Sequence, residues 1–124
     1  MGAAALDLTI EQGTTFRRII TLKDALDVEI DLTGESFRGQ IRKTPSSGTV
    51  AAVFTCTVLN QVTNKGEVEI TISAANTALI PLAATSKPLL LPENFVYNIE
   101  RVKVDTTVSR ILEGIAIVSP EVTK

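Results

Sequence analysis

Asp27, Glu29 and Asp31 alternate along one stretch of the chain. Hard cations such as Ca²⁺ take several oxygen ligands of that kind. No Asp-x-Asx-x-Asx-Gly loop accompanies them, and they alternate with Val28, Ile30 and Leu32. That alternation reads as a wet strand face opposite a buried one. Glu67 and Glu69 are a carboxylate pair of the type used in acid–base hydrolysis. They too alternate with apolar residues, Val68 and Ile70, and nothing nearby marks an environment that would tune them. Arg17, Arg18, Arg38, Arg42 and Lys43 put positive charge on two stretches. If those stretches pair, Arg38 and Arg42 form a patch with Arg17 that suits phosphate or an acidic partner. The same charges also discourage edge aggregation. Cys56 alternates with Phe54 and Val58 and reads as a small buried hydrophobe rather than a nucleophile. The residues therefore predict no catalytic, metal or cofactor site.

Composition narrows the chemistry further. The chain has 124 residues, one Cys, no His and no Trp, and a formal charge of −2. Without His, the Ser-His-Asp and Cys-His forms of nucleophilic catalysis are excluded. One Cys and no His leave no ordinary structural zinc site and no intrachain disulfide. A near-neutral balance argues against a nucleic-acid partner, which calls for a basic surplus. At 21% charged and 44% hydrophobic, the chain is a folded domain rather than a disordered one. Its length predicts a single domain over residues 1–124. The opening Met1 to Asp7 lacks the basic start and long apolar run of a secretory signal. No apolar run approaches the ~18 residues of a membrane span. The expectation is a protein made in a cytoplasm, with no membrane partner.

Apolar residues recur with a period of two along most of the chain, which is the pattern of half-buried strands. Leu6, Leu8 and Ile10 start it. Phe16 to Lys23 follows the turn Glu11-Gln12-Gly13-Thr14-Thr15, with Arg18 at the rim. Val28, Ile30 and Leu32 predict the next strand, then Phe37, Gly39 and Ile41, then Phe54, Cys56 and Val58. Asn64-Lys65-Gly66 predicts a hairpin turn with Gly in the left-handed position. Val68, Ile70 and Ile72, then Phe95, Tyr97 and Ile99, complete the alternating set. Val108 to Val118 is apolar on both faces, as in a central strand. Ser73 to Leu79 predicts one short helical turn, capped by Ser73 and ended by Pro81. The fold class this predicts is all-β: a two-sheet antiparallel β-sandwich, Ig-like, of about eight strands. A closed barrel is the alternative.

Residues 78–92 combine apolar side chains with three prolines, Pro81, Pro88 and Pro92. Such a segment either plugs the end of a core or docks on a neighbour. Ile80, Leu82, Leu89, Leu90 and Leu91 are the candidate interface residues.

Several phrases resemble a family of small tailed-phage virion structural proteins. They are Leu8-Thr9-Ile10-Glu11-Gln12-Gly13, Ile30-Asp31-Leu32-Thr33-Gly34 and Phe37-Arg38-Gly39-Gln40-Ile41-Arg42. Tyr97-Asn98-Ile99-Glu100, Leu112-Glu113-Gly114 and Ser119-Pro120-Glu121-Val122-Thr123 continue the order. The first half is similar to the N-terminal domain of phage upper baseplate proteins. The chain departs from that pattern at Asp24-Ala25-Leu26-Asp27, which lacks a Gly, and in the long apolar stretch before Tyr97. The resemblance implies a non-enzymatic tail or baseplate module, made in the host cytoplasm and built into a virion. Its implied partners are other virion proteins and copies of itself. A capsid decoration or cement protein is the alternative. A receptor- or glycan-binding module is a further one, weakened by the lack of Trp for stacking on sugars.

Overall fold

In a computed structural model, residues 3–82 and 92–121 are described. The alternating apolar residues form eight strands: β1 (Ala4–Ala5), β2 (Leu8–Glu11), β3 (Phe16–Thr21), β4 (Ser36–Arg42), β5 (Val50–Val58), β6 (Glu67–Ile72), β7 (Glu93–Val102) and β8 (Val108–Ser119). One helix, α1 (Ala74–Ala78), sits between β6 and β7. Ser73 caps it by accepting a hydrogen bond from the Asn76 backbone N–H.

The strands follow one path in the order β1-β8-β7-β4-β5-β6-β3, with β2 also on β8. β5 is the corner. Gly39, Gln40, Ile41 and Arg42 of β4 pair with its first half, Val50 to Phe54. Its second half, Thr55 to Val58, pairs with β6. The sheet therefore curls, and β2 and β3 at its two edges are consecutive in the chain. The expected all-antiparallel pairing holds from β8 through to β3. It fails at the N-terminus, where β1 and β2 run parallel to β8. Two contacts on the Leu6 carbonyl make that edge. A Cβ on Gly114 would overlap the Leu6 carbonyl, so only glycine lets the first strand lie this close. The Tyr97 hydroxyl, on the neighbouring strand, donates to the same Leu6 carbonyl.

The inward residues meet inside the curl. Leu8, Ile10, Ile41, Phe54, Ile70, Phe95, Ile99 and Val118 are among the core members. Phe16 on β3 and Tyr97 on β7 both touch Phe54 on β5 edge-to-face, with ring centroids 6.0 and 5.9 Å apart. Strands distant in sheet order thus share one interior.

One predicted strand is absent. Val28 to Leu32 forms no ladder, only an isolated bridge between Lys23 and Glu29. Its backbone groups are shared between two backbone bonds, Ile30 N–H to the Leu22 carbonyl and Asp24 N–H to the Val28 carbonyl, and side chains. The Asp24 carboxylate accepts from the Leu26 and Val28 N–H groups. The Leu32 N–H donates to the Gln61 side chain. Asp27 adopts φ 64°, which a continuous strand forbids.

Candidate functional site

The antiparallel run gathers the connections at two ends. The turns 22–35, 59–66 and 103–107 lie at one end, because β3, β5 and β7 finish there. The 12–15 corner, α1 and the end of β8 lie at the other.

The second end is stitched by two buried polar residues, Gln12 and Thr77. The Gln12 amide donates to the carbonyls of Ala78 and Ile80, at 3.3 and 3.1 Å. Its oxygen accepts from the Glu121 N–H at 3.0 Å. The Thr77 hydroxyl accepts from Gly13 N–H at 3.0 Å and donates to the Thr14 carbonyl at 2.7 Å. Gly13 has φ 85°, and a Cβ there would strike the Glu121 carboxylate. This network joins the edge corner, the helix and the chain's last strand.

Ile80 belongs here and is 1% exposed, so it plugs the core. Leu82 is half-buried against the same core. Of the candidate interface residues, Ile80 is thus a core member of the single chain and Leu82 packs against that core. Leu89, Leu90 and Leu91 lie outside the described residues.

The acidic candidates do not converge. The Asp31 carboxylate accepts from the Thr33 hydroxyl and N–H, which hold it below the usual carboxylate range. Asp27 lies 3.6 Å from Lys23. Glu69 binds Arg17 at 2.6 Å. Among the described residues, no group of three metal-ligating side chains comes together. Cys56 is half-buried, and burial pushes its thiol up to about 11, which leaves it a poor nucleophile.

The basic residues split. β3 pairs with β6 rather than β4, so Arg17 is not beside Arg38 and Arg42. Arg38 meets Glu100 at 2.8 Å. Lys43 meets Glu93 at 3.0 Å and lies 4.7 Å from the Phe95 ring centre. Arg42 donates to the Ser47 carbonyl at 2.6 Å and to Gln40 at 3.0 Å. Arg38, Arg42 and Arg110 line a shallow concavity of about 700 Å³ on the outer face of β5-β4-β7-β8.

The first end has a feature that periodicity missed. Leu26, Val62 and Val104 stand out from its three turns, exposed by 83%, 93% and 72%. Each turn is closed by a side chain of its own. Asp24 holds Leu26 and Val28, Asn60 holds Val62 at 2.8 Å, and Asp105 holds Thr107 at 2.9 Å. The only sequence signal is a lone apolar residue among turn formers.

No protein-family model matches the chain, and no curated protein matches it. No helix among the described residues is long and apolar enough to cross a membrane.

Proposed function

We propose that this chain is a non-enzymatic structural protein of a tailed-phage virion, a tail or baseplate assembly module acting through protein–protein contacts. The observation that carries the reading is the trio Leu26, Val62 and Val104, presented together at one end. Apolar side chains on backbone-satisfied turns are suited to burial against another protein. The phrases that resemble the virion family fit a scaffold role. Gly13 and Gly34 serve left-handed turns, with φ 85° and 79°. Gly39 makes room for Ile99 and Phe54, and Gly114 for Leu6. We read the curled sheet as an Ig-like sandwich whose two layers share β5. In the particle, the module contacts other virion proteins and further copies of itself.

Immunogold labelling and mass spectrometry of particles, with heads and tails separated, test the assignment. Label at the tail end supports the baseplate reading. Label over the shell makes the chain a capsid decoration protein. Absence from both fractions defeats the structural reading.

A further inference from the structure

The turn at Leu26 and the concavity around Arg42 are complementary in charge. The turn projects Leu26 and carries three carboxylates, Asp24, Asp27 and Glu29, against one ammonium of its own, Lys23, with Lys65 of the neighbouring turn beside Glu29. The Asp27 side chain is 86% exposed, and its Lys23 contact is loose at 3.6 Å. The concavity holds three guanidinium groups against two carboxylates, Glu100 and Glu113. Arg38 is taken by Glu100 at 2.8 Å, and Arg110 reaches Glu113 at 3.5 Å. Arg42 has no carboxylate among the described residues. In a lining that is otherwise largely polar, Val96, which pairs with Arg42 across β4 and β7, and Val53, 57% exposed, supply apolar surface beside Arg42.

We propose that the Leu26 turn of one copy docks in the Arg42 concavity of a second copy. Leu26 then covers Val53 and Val96, and the Asp27 carboxylate pairs with Arg42. A chain does not satisfy itself this way. The turn precedes β4, whereas Arg42 is its last residue, six positions on, about 20 Å along the strand. The contact joins two different patches, so it either closes reciprocally into a two-fold dimer or repeats head-to-tail into a ring or a filament. The inference rests on the assembly reading above and names a second copy as the partner.

Sedimentation velocity of the full chain tests it with two variants: Leu26→Ser/Asp27→Lys, which breaks the turn, and Arg42→Glu, which breaks the concavity. All of these positions are exposed or half-exposed, and circular dichroism melting checks that both variants fold. The wild type should associate as concentration rises, less so at high salt. Each variant alone should associate at least about tenfold more weakly. Their equimolar mixture should stop at a dimer, because one intact turn and one intact concavity remain. A wild type that stays monomeric up to about 1 mM, the weak limit of useful affinity, overturns the proposal. So do variants that associate like the wild type, and so does a mixture that stays monomeric. If particles carry gold label while the pure chain stays monomeric, the assembly reading stands and only the second copy falls. If the particles carry no label, both fall.

Discussion

The two ends of the sheet satisfy their backbones in different ways. At the closed end, Gln12 and Thr77 reach partners 63 to 109 residues away in sequence. At the open end, Asp24, Asn60 and Asp105 reach two to four residues away. A glutamine appears at each end. The Gln61 oxygen accepts from Leu32 and Gly66 N–H groups, both at 2.9 Å, and its amide donates to Leu59 at 2.7 Å. Most of those partners lie in its own turn. The closed end thus depends on the whole fold being assembled. At the open end the turns are held mostly by their own side chains, with short links between neighbouring turns (Leu32 N–H to Gln61, Leu22 N–H to the Gly66 carbonyl), and their apolar tips are free for other work. That division lets a surface carry exposed Leu and Val without loosening the core beneath it.

The widest gap between the ends should come from removing one apolar side chain at each. Ile80→Ala empties a fully buried site and should cost about 3 kcal/mol in urea unfolding. Leu26→Ala should cost no more than about 0.5 kcal/mol. Near-equal losses would break the distinction and show that the Leu26 turn is part of the fold's support.

The two glutamines offer a finer cut. Gln12→Ala removes a buried side chain and strands one buried carbonyl, with a second carbonyl and an N–H part-buried, for a loss of about 2 kcal/mol. Gln61→Ala strands groups that are only part-buried, where water takes over, for about 1 kcal/mol. Hydrogen exchange should separate the two by location. The first variant should release the 12–15 corner, α1 and Glu121 together. The second should release only 59–66 and Leu32. Release of the whole chain in both cases would mean that the ends are not independent.

What the sequence reveals follows the same division. Strand faces are legible because inside and outside alternate with period two, and Phe37, Ile41, Val68, Ile70 and Tyr97 all face inward as that pattern requires. Ser73 and Gly66 are legible because caps and left-handed turns are local chemistry. The strand at Val28 to Leu32 misleads: Val28 is exposed despite the alternation, and Asp24 and Gln61 take the Val28 and Leu32 N–H groups a ladder needs. Strand adjacency is not local, so the Arg17 patch could not be judged from spacing alone. Nor could the parallel pairing of β1 and β2 on β8. Gln12 and Thr77 look like ordinary turn and helix residues. Their burial is decided by segments more than 60 positions away.

The smallest effect, and the one that sharpens the contrast without substitution, is the response to pH. Asp31 and Asp105 sit in the open-end turns, held below the usual carboxylate range by hydrogen bonds from Thr33 and Thr107. A depressed carboxylate adds stability that is present above its unfolded value of 3.8 and lost as pH falls through the folded one. Both groups are fully exposed, so that loss is slight and confined to strong acid. Cys56 and Tyr97 face the interior, and burial pushes them up to about 11 and about 12. Their contribution is fully present below the unfolded values of 9.0 and 10.0 and is lost as pH rises through the folded ones. With no histidine in the chain, no side chain of that type titrates between these limits. Urea midpoints should therefore hold level through neutrality and fall from about pH 9 upward, more than they fall in acid. Cys56→Ala should remove the first part of the alkaline decline and leave the later part, which belongs to Tyr97. If Cys56→Ala leaves the profile unchanged, the thiol is as free of the interior as the apolar tips are, and β5 opens toward solvent at its second half.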